Sequence, residues 1–215
     1  MALKYLRNVC ATTLVIATLG ACAQQSGMKP LASTPGGAPF VGSNLIKDGS
    51  FEKPVVPTGS YQLFSTGQRF SAWTVTGDPG DVGIVSGAFT QNGFTFPAAC
   101  GQQWLDLTGV TQTATGVTQS VSTTPNTQYE VEFDVGNVYD PHGIFGTSSI
   151  VNVFIGSQKV LVAINRRGIG STQMVWKRFA KTFTASGSSA AIEFLNGDPS
   201  TDTLDGLDCV SVRQL

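Results

Sequence analysis

The sequence of 215 residues is poor in the groups on which most catalytic and nucleic-acid-binding sites depend. It has one histidine, and only 13% of its residues are charged, with 13 Lys and Arg against 14 Asp and Glu. A balanced charge without a basic run offers no electrostatic surface for phosphate, which argues against nucleic-acid binding. Because 41% of the residues are apolar, the composition is not that of a disordered chain either.

The sequence also lacks the motifs of hydrolases and zinc enzymes. No GxSxG elbow accompanies His142, and no CxxC or HExxH spacing is present. Glu130, Glu132 and Asp134 alternate with apolar residues, so they share one face of a predicted strand, at a separation that overlaps the geometry of inverting glycosidases. Solvation of an exposed strand face explains the same pattern. We therefore predict a protein that is not an enzyme, with a glycoside hydrolase as an alternative.

Long hydrophobic runs are absent as well, and the longest uncharged stretch lies at the N-terminus. Lys4 and Arg7 precede apolar and small residues from 11 to 21, too few for a transmembrane helix but typical of the h-region of a signal peptide. The stretch ends in LGAC at 19–22, which resembles the lipobox of bacterial lipoproteins. In that family the chain is cut before the cysteine, whose thiol carries diacylglycerol and whose new amine is acylated.

The lipobox resemblance implies a lipoprotein signal peptide over residues 1–21 and lipidation of Cys22, with an ordinary cleaved signal as the alternative. The protein would be exported and anchored to a bacterial membrane through its lipid. Ala23 follows the cysteine where Asp would favour retention in the inner membrane, so we expect the outer membrane. Residues 22–43 are small, polar and rich in Pro and Gly, which predicts a flexible tether after the lipidated cysteine.

Two of the four cysteines remain for the exported domain. Cys10 leaves with the signal peptide and Cys22 takes lipid, which leaves Cys100 and Cys209. Disulfides persist outside the cytoplasm, so we predict a Cys100–Cys209 bridge. Two buried free thiols are the alternative.

The dominant hydrophobic period from residue 44 to the C-terminus is two. Stretches such as QYEVEFDV and SIVNVFI alternate or run apolar, and turn sequences such as TTPNT and ASGSS separate them. No window shows a convincing apolar stripe at the 3.6-residue period of a helix. Residues 44–215 are therefore predicted to form one all-β domain, an antiparallel jelly-roll β-sandwich.

Six segments in order resemble the galactose-binding-domain-like carbohydrate modules. The set is most similar to the domain-of-unknown-function family numbered 642, known from plant cell walls and bacterial exported proteins. Cys209 departs from that family, which usually has Asn or Asp at this position. The segments are NLIKDGSFE at 44–52, AWTV at 72–75, GQQWLDLTG at 101–109, GVTQS at 116–120 with YEVEFDVG at 129–136, Trp176 with FTA at 183–185, and GLD at 206–208 with VSV at 210–212.

The resemblance implies a non-catalytic envelope protein that binds carbohydrate, such as a cell-wall or envelope polysaccharide. A structural or adhesive lipoprotein that contacts other proteins is the alternative. In the modules that this chain resembles, a Glu of the first strand and an Asp of the last hold a structural calcium ion. The matching residues are Glu52 and Asp208, for which ordinary surface carboxylates are the alternative.

We expect glycan binding through the loops, since the strands of a sandwich are used by its core. The longest poorly patterned connections are 54–68, 77–99 and 137–147. The third connection predicts a shallow, weak site in which aromatic rings stack on a sugar while polar side chains hydrogen-bond to its hydroxyls. Tyr61 is a further candidate platform, and the three tryptophans are predicted to be core. The proposed ligand-binding residues are Tyr139, Asp140, His142 and Phe145, and the tryptophans are Trp73, Trp104 and Trp176.

Overall fold

A computed structural model describes residues 42–215, which form β-strands and no helix. The predicted all-β class is confirmed. The predicted signal peptide, Cys22 and all but the last two residues of the predicted tether lie outside the described residues. The strands are β1 (Tyr61–Ser65), β2 (Arg69–Phe70), β3 (Trp73–Gly77), β4 (Asp81–Ser86), β5 (Thr90–Gln91), β6 (Phe94–Thr95), β7 (Gln103–Asp106), β8 (Thr115–Ser122), β9 (Gln128–Asn137), β10 (Ser149–Ile155), β11 (Gln158–Asn165), β12 (Val175–Thr184), β13 (Ser189–Asn196) and β14 (Gly206–Gln214).

Two six-stranded sheets contain all but two of these strands. The first sheet has the order β1-β4-β7-β14-β9-β12, the second has the order β11-β10-β13-β8-β3-β2, and β5 and β6 form a separate ribbon. Neighbouring strands in both sheets are antiparallel. The antiparallel jelly-roll sandwich is confirmed. Within residues 42–215, no helix is long and apolar enough to span a bilayer.

The main core lies between the two sheets and follows from the alternation seen in the sequence. In β9, Val131, Phe133 and Val135 are fully buried, while Glu130 and Glu132 lie on the opposite face and are half-buried. The ring of Phe133 meets that of Phe194 in the second sheet, with centroids 5.0 Å apart. One face of β9 is thus used by the core and the other carries charge, which is why its pattern is easy to read.

The NLIKDGSFE segment, which resembled a first strand, is not a strand in the structure. Its start runs beside β14, where the amide of Leu45 donates to the carbonyl of Val212 at 2.9 Å. Asp48 and Phe51 then take φ values of 54°, and Asp48 Oδ1 accepts the amide of Glu52 at 2.9 Å. This left-handed turn ends the extended stretch before it can form a ladder.

Two segments that were predicted to be connections contain strands of the first sheet. Residues 54–68 include β1, an edge strand in which only Phe64 is buried. Residues 77–99 include β4, whose residues from Val82 to Ser86 are all buried. A strand that is covered on both faces, such as β4, does not alternate between apolar and polar residues. An exposed edge strand, such as β1, has few apolar residues. Neither segment therefore shows the period-two pattern that predicts a strand.

Candidate functional site

A second apolar cluster covers the outer face of the first sheet, the face turned away from the main core. We call it the outer cluster. It forms because β7 places Leu105 in the main core and Trp104 on the opposite face. The connection between β4 and β7 folds back over that face, and Trp104 Nε1 donates to the carbonyl of Phe96 at 3.0 Å. The buried members of the outer cluster are Val85, Phe96, Trp104, Val138, Phe145, Met174 and Leu204.

An open cavity of about 310 Å³, which we call the cleft, lies beside the outer cluster. Its floor is the outer face of β4 and β7, with Gly83 and Val85 beside Trp104 and Asp106. Gly83 has ordinary strand backbone, and a Cβ at this position would lie 3.4 Å from Leu63 Cδ2, an ordinary contact. The missing side chain therefore leaves space in the floor that a larger residue can fill.

Aromatic rings form a continuous series from the solvent-exposed rim of the cleft to its buried end. Tyr61 is 48% exposed and meets Phe89 edge to face, with centroids 5.8 Å apart. Phe89 contacts Phe96 at 5.7 Å, and Phe96 stacks on Trp104 at 6.2 Å and meets Phe145 edge to face at 5.2 Å. A ligand in the cleft would therefore meet several ring surfaces whose positions are fixed by one another.

The carboxyl group of Asp106 is the one acidic side chain among the described residues that line the cleft. Burial raises the pKa of Asp106 from 3.8 to about 7, although its hydrogen bonds from Thr108 oppose the shift. Asp106 Oδ1 accepts the Thr108 hydroxyl at 2.8 Å and the Thr108 amide at 3.1 Å. Near neutral pH this carboxyl can therefore accept or donate a hydrogen bond to a ligand.

Three further aspartates lie close to Asp106, and with it they form what we call the acidic cluster: Asp106, Asp198, Asp202 and Asp205. Asp205 is fully buried, and neither of its carboxyl oxygens has a hydrogen-bond partner. Both carboxyl oxygens of Asp198 are also buried without a partner. Desolvation raises the pKa of both groups, and Asp205 is the nearby charge that acts most strongly on Asp198.

The predicted disulfide is confirmed. Cys100 and Cys209 are bonded, with their Cα atoms 5.5 Å apart and a sequence separation of 109. The bridge joins the turn before β7 to the last strand of the same sheet.

The predicted calcium residues lie on either side of that turn and bind its backbone. Glu52 Oε1 accepts the amides of Gln102 and Gln103, and Asp208 Oδ2 accepts those of Ala99 and Cys100, at 2.8–3.0 Å. Of the described residues, only Cys100, Asp208 and Cys209 bring three potential metal ligands within 4.8 Å, and the two sulfurs are oxidised. The contacts of Glu52 and Asp208 fit a structural role without an ion, and calcium at this place stays a prediction.

Of the four ligand-binding residues predicted in the 137–147 loop, one lines the cleft and three do not. Phe145 is 4% exposed and lines the cleft as part of the outer cluster, so it is not an exposed platform. Asp140 closes its own loop, with its amide donating to the carbonyl of Gly146 at 2.7 Å. His142 is exposed and Tyr139 half-buried, and neither is among the residues that line the cleft. A ligand role for Tyr139, Asp140 and His142 stays a prediction, separate from the cleft.

The predictions for the tryptophans and for the acids of β9 agree with the structure. Trp73 and Trp104 are buried and Trp176 is half-buried, as expected for core residues. The acids of β9 share one face, where Asp134 makes a bidentate ion pair with Arg178 at 3.0–3.1 Å.

Of the residues that line the cleft, Tyr61 and Phe145 were predicted as candidate ligand contacts, whereas Phe89, Trp104 and Asp106 were not. One signal was available in the sequence GQQWLDLTG. Adjacent apolar residues at 104 and 105 in a strand require both of its faces to be covered, which implies a second apolar layer.

Comparison with known proteins supports the fold and the family. Residues 44–209 match a family described as a protein of unknown function, DUF642. The fold is similar to a cyclase from Fischerella sp. TAU in complex with 4-(1H-indol-3-yl)butan-2-one, at a TM-score of 0.57 and 18% identity over 81% of this chain and 98% of that chain. A Stig cyclase, Fisc, from the same source matches at 0.55 and 18%, over 80% of this chain and 96% of that chain.

A carbohydrate-binding module, CBM4, is more distant, at a TM-score of 0.40 and 15% identity over 79% of this chain and 99% of that chain. No curated protein sequence matches this chain. At 18% identity the two cyclase matches establish a shared fold and nothing about ligands.

Proposed function

The chain belongs to the DUF642 family, and we propose that its sandwich domain is a non-catalytic module that binds carbohydrate in the cleft. The observation that carries this proposal is the series of aromatic rings from half-exposed Tyr61 to buried Trp104, which lines an open cavity together with polar groups. The apolar face of a pyranose can stack on such rings. Polar residues of the lining then pair with its hydroxyls, and these are Gln91, Asp106, Gln112 and Thr203.

The dimensions and chemistry of the cleft favour a short stretch of sugar residues over a large apolar ligand. A volume of about 310 Å³ is at the small end of ligand cavities, and the cleft is open to solvent. Binding should be weak, because sugar hydroxyls exchange good hydrogen bonds to water for similar ones to protein. Hydrolysis of a glycosidic bond uses two carboxyl groups, whereas Asp106 is the single one that lines this cavity.

The setting that we propose for this activity is the bacterial envelope, with the domain held at the outer membrane by lipid on Cys22. This part of the proposal rests on the charged N-terminus, the apolar stretch and the lipobox-like sequence. A tethered module of weak affinity would gain strength from many copies on one surface. A polysaccharide of the envelope or cell wall is therefore the ligand class that we propose. Contact with other proteins is the alternative use of the same exposed rings.

The test compares wild type with two cleft variants on a glycan array and by titration with any glycan that binds. Tyr61→Ala removes the ring at the rim, and Gly83→Val fills the floor where a Cβ meets only ordinary contacts. We expect both changes to reduce affinity at least tenfold.

Tyr139→Ala is the matched control, since this aromatic residue lies outside the cleft. An array without signal for wild type, or binding that survives both cleft changes, would refute the proposal. Binding lost only in the control would place the site on the 137–147 loop instead. Release of reducing sugar from a bound glycan would contradict the non-catalytic assignment.

A further inference from the structure

Two aspartates of the acidic cluster have buried side-chain oxygens without a hydrogen-bond partner. Asp205 has no exposed surface, and both of its oxygens are without a hydrogen-bond partner. The same is true of the two oxygens of Asp198. Buried charges in proteins are otherwise paired, hydrogen-bonded or bound to metal. Four such oxygens in one place are a departure from this rule.

Hydrogen bonds to the main chain of Asp198 and Asp205 fix the backbone of the two residues. The amide of Asp198 donates to Asn196 Oδ1 at 2.8 Å, and the amide of Leu107 donates to the carbonyl of Asp205 at 3.0 Å. The amide of Asp205 lies 3.4 Å from Asp106 Oδ1. The backbone at both ends of the 197–205 loop is therefore fixed while the side-chain oxygens stay free.

Among residues 42–215, no cationic side chain forms an ion pair with Asp198 or Asp205. Both ion pairs formed by the described residues involve other acids, Asp134 with Arg178 and Glu132 with Arg213. Asp202 is also occupied, because its carboxylate accepts the Thr201 hydroxyl and the Thr147 amide at 3.1–3.2 Å. Within the acidic cluster, the buried oxygens without a hydrogen-bond partner are thus those of Asp198 and Asp205. The charge of Asp106 acts on both groups.

We infer that Asp198 and Asp205 bind a divalent cation of the calcium class, at a site distinct from Glu52 and Asp208. Calcium takes oxygen ligands in flexible geometry and is often completed by backbone carbonyls and water. An irregular loop with two free carboxylates supplies ligands of this kind. The inference is independent of the proposed carbohydrate binding, although the site lies against the cleft through Asp106.

Two measurements test whether an ion binds at Asp198 and Asp205. The first is the melting temperature of the full-length protein in detergent after treatment with chelator, measured with and without calcium. At a calcium concentration of 100 times the Kd, ligand linkage predicts a rise of roughly 5–10 °C for a domain of this size. The second is terbium luminescence excited through tryptophan, because Trp104 lies two residues from Asp106 on the same face of β7.

Asp198→Asn and Asp205→Asn keep the side-chain shape and remove the charge, so each should abolish the calcium-induced rise in melting temperature and reduce terbium luminescence at least tenfold. Glu52→Gln is the control and should leave both signals unchanged. Should Asp205→Asn fail to fold, Asp198→Asn decides alone, since Asp198 is the less buried of the two residues.

The inference is overturned when wild type responds to neither calcium nor terbium, which would mean that the two carboxyls are simply protonated. Calcium responses that persist in the Asn variants would also overturn it. So would responses lost in Glu52→Gln alone, because the ion would then bind at the Glu52–Asp208 position. Glycan binding does not enter these measurements, so failure of either proposal leaves the other to stand.

Discussion

Removal of the Cys100–Cys209 disulfide should be strongly destabilising, and the size of the effect can be worked out from the structure. The bridge closes a loop with a sequence separation of 109. In the chain-entropy treatment, a loop of this length restricts the unfolded chain by about 4.8 kcal/mol at 25 °C, which is an upper value. The native contacts around the bridge decide how much of it is observed.

We expect those contacts to survive loss of the bridge, because none of them uses a cysteine side chain. Asp208 accepts the amides of Ala99 and Cys100, and Glu52 accepts those of Gln102 and Gln103. The native turn should therefore keep its shape in Cys100→Ser/Cys209→Ser, so that the change acts mainly on the unfolded state. We expect a loss of about 3–4 kcal/mol in the free energy of unfolding, or roughly 10 °C in melting temperature.

Urea unfolding followed by tryptophan fluorescence measures this loss, with the slope of the transition reporting any change in the compactness of the unfolded state. Wild type with its disulfide reduced is the matched control, because it loses the bridge but keeps both side chains. The reduced protein and the double serine variant should agree within about 1 kcal/mol. A double variant as stable as oxidised wild type would refute the reasoning. So would a variant far less stable than the reduced protein.

Two further predictions concern ionisation and the anchor. Burial gives Asp106 and Asp208 a folded-state pKa of about 7 against 3.8 for the unfolded chain, so the folded protein binds the extra protons. The stability gained from these two protonated carboxyls is complete below about pH 4 and is lost as the pH rises through 7. The melting temperature in chelator should therefore fall by several degrees between pH 5 and pH 8. A melting temperature that rises or stays flat over this range would contradict the prediction. Cys22→Ser should block lipidation and leave unprocessed precursor, which cell fractionation can detect. A variant that is processed and sediments with membranes like wild type would refute the lipobox interpretation.

The strands that could be predicted from sequence are those with one solvent-facing side and one side buried in the core. Strand β9 alternates because Val131 and Phe133 enter the core while Glu130 and Glu132 do not. Strand β4 was missed because the outer cluster covers the face that would otherwise be polar. The disulfide could be predicted because, with Cys10 and Cys22 assigned to the N-terminus, two cysteines remained. Periodicity reports burial on one side of a strand, so a second apolar layer removes the signal.

The cleft and the acidic cluster could not be predicted for a different reason. Asp106 is remote in sequence from Asp198 and Asp205, and the sequence around the latter two is that of an ordinary polar turn. Their distinguishing property is the lack of hydrogen-bond partners, which exists only once the chain has folded. Phe145 was recognised as part of a functional loop, yet its ring is directed to the outer cluster because apolar partners are available there. Both the burial of the acidic cluster and the position of the Phe145 ring depend on contacts between segments that are far apart in the sequence.

The stabilising interactions of this domain converge on the segment that forms the aromatic wall of the cleft. The disulfide, Glu52 and Asp208 all hold the backbone from residue 99 to residue 103, immediately before Trp104. Trp104 and Trp176 then fix the other end, because their indole N–H groups donate to the carbonyls of Phe96 and Pro97 at 3.0 and 2.8 Å. A wall restrained from both ends loses little conformational entropy when a ligand stacks on it. A weak sugar ligand needs this preorganisation most, since its hydrogen bonds contribute little net free energy.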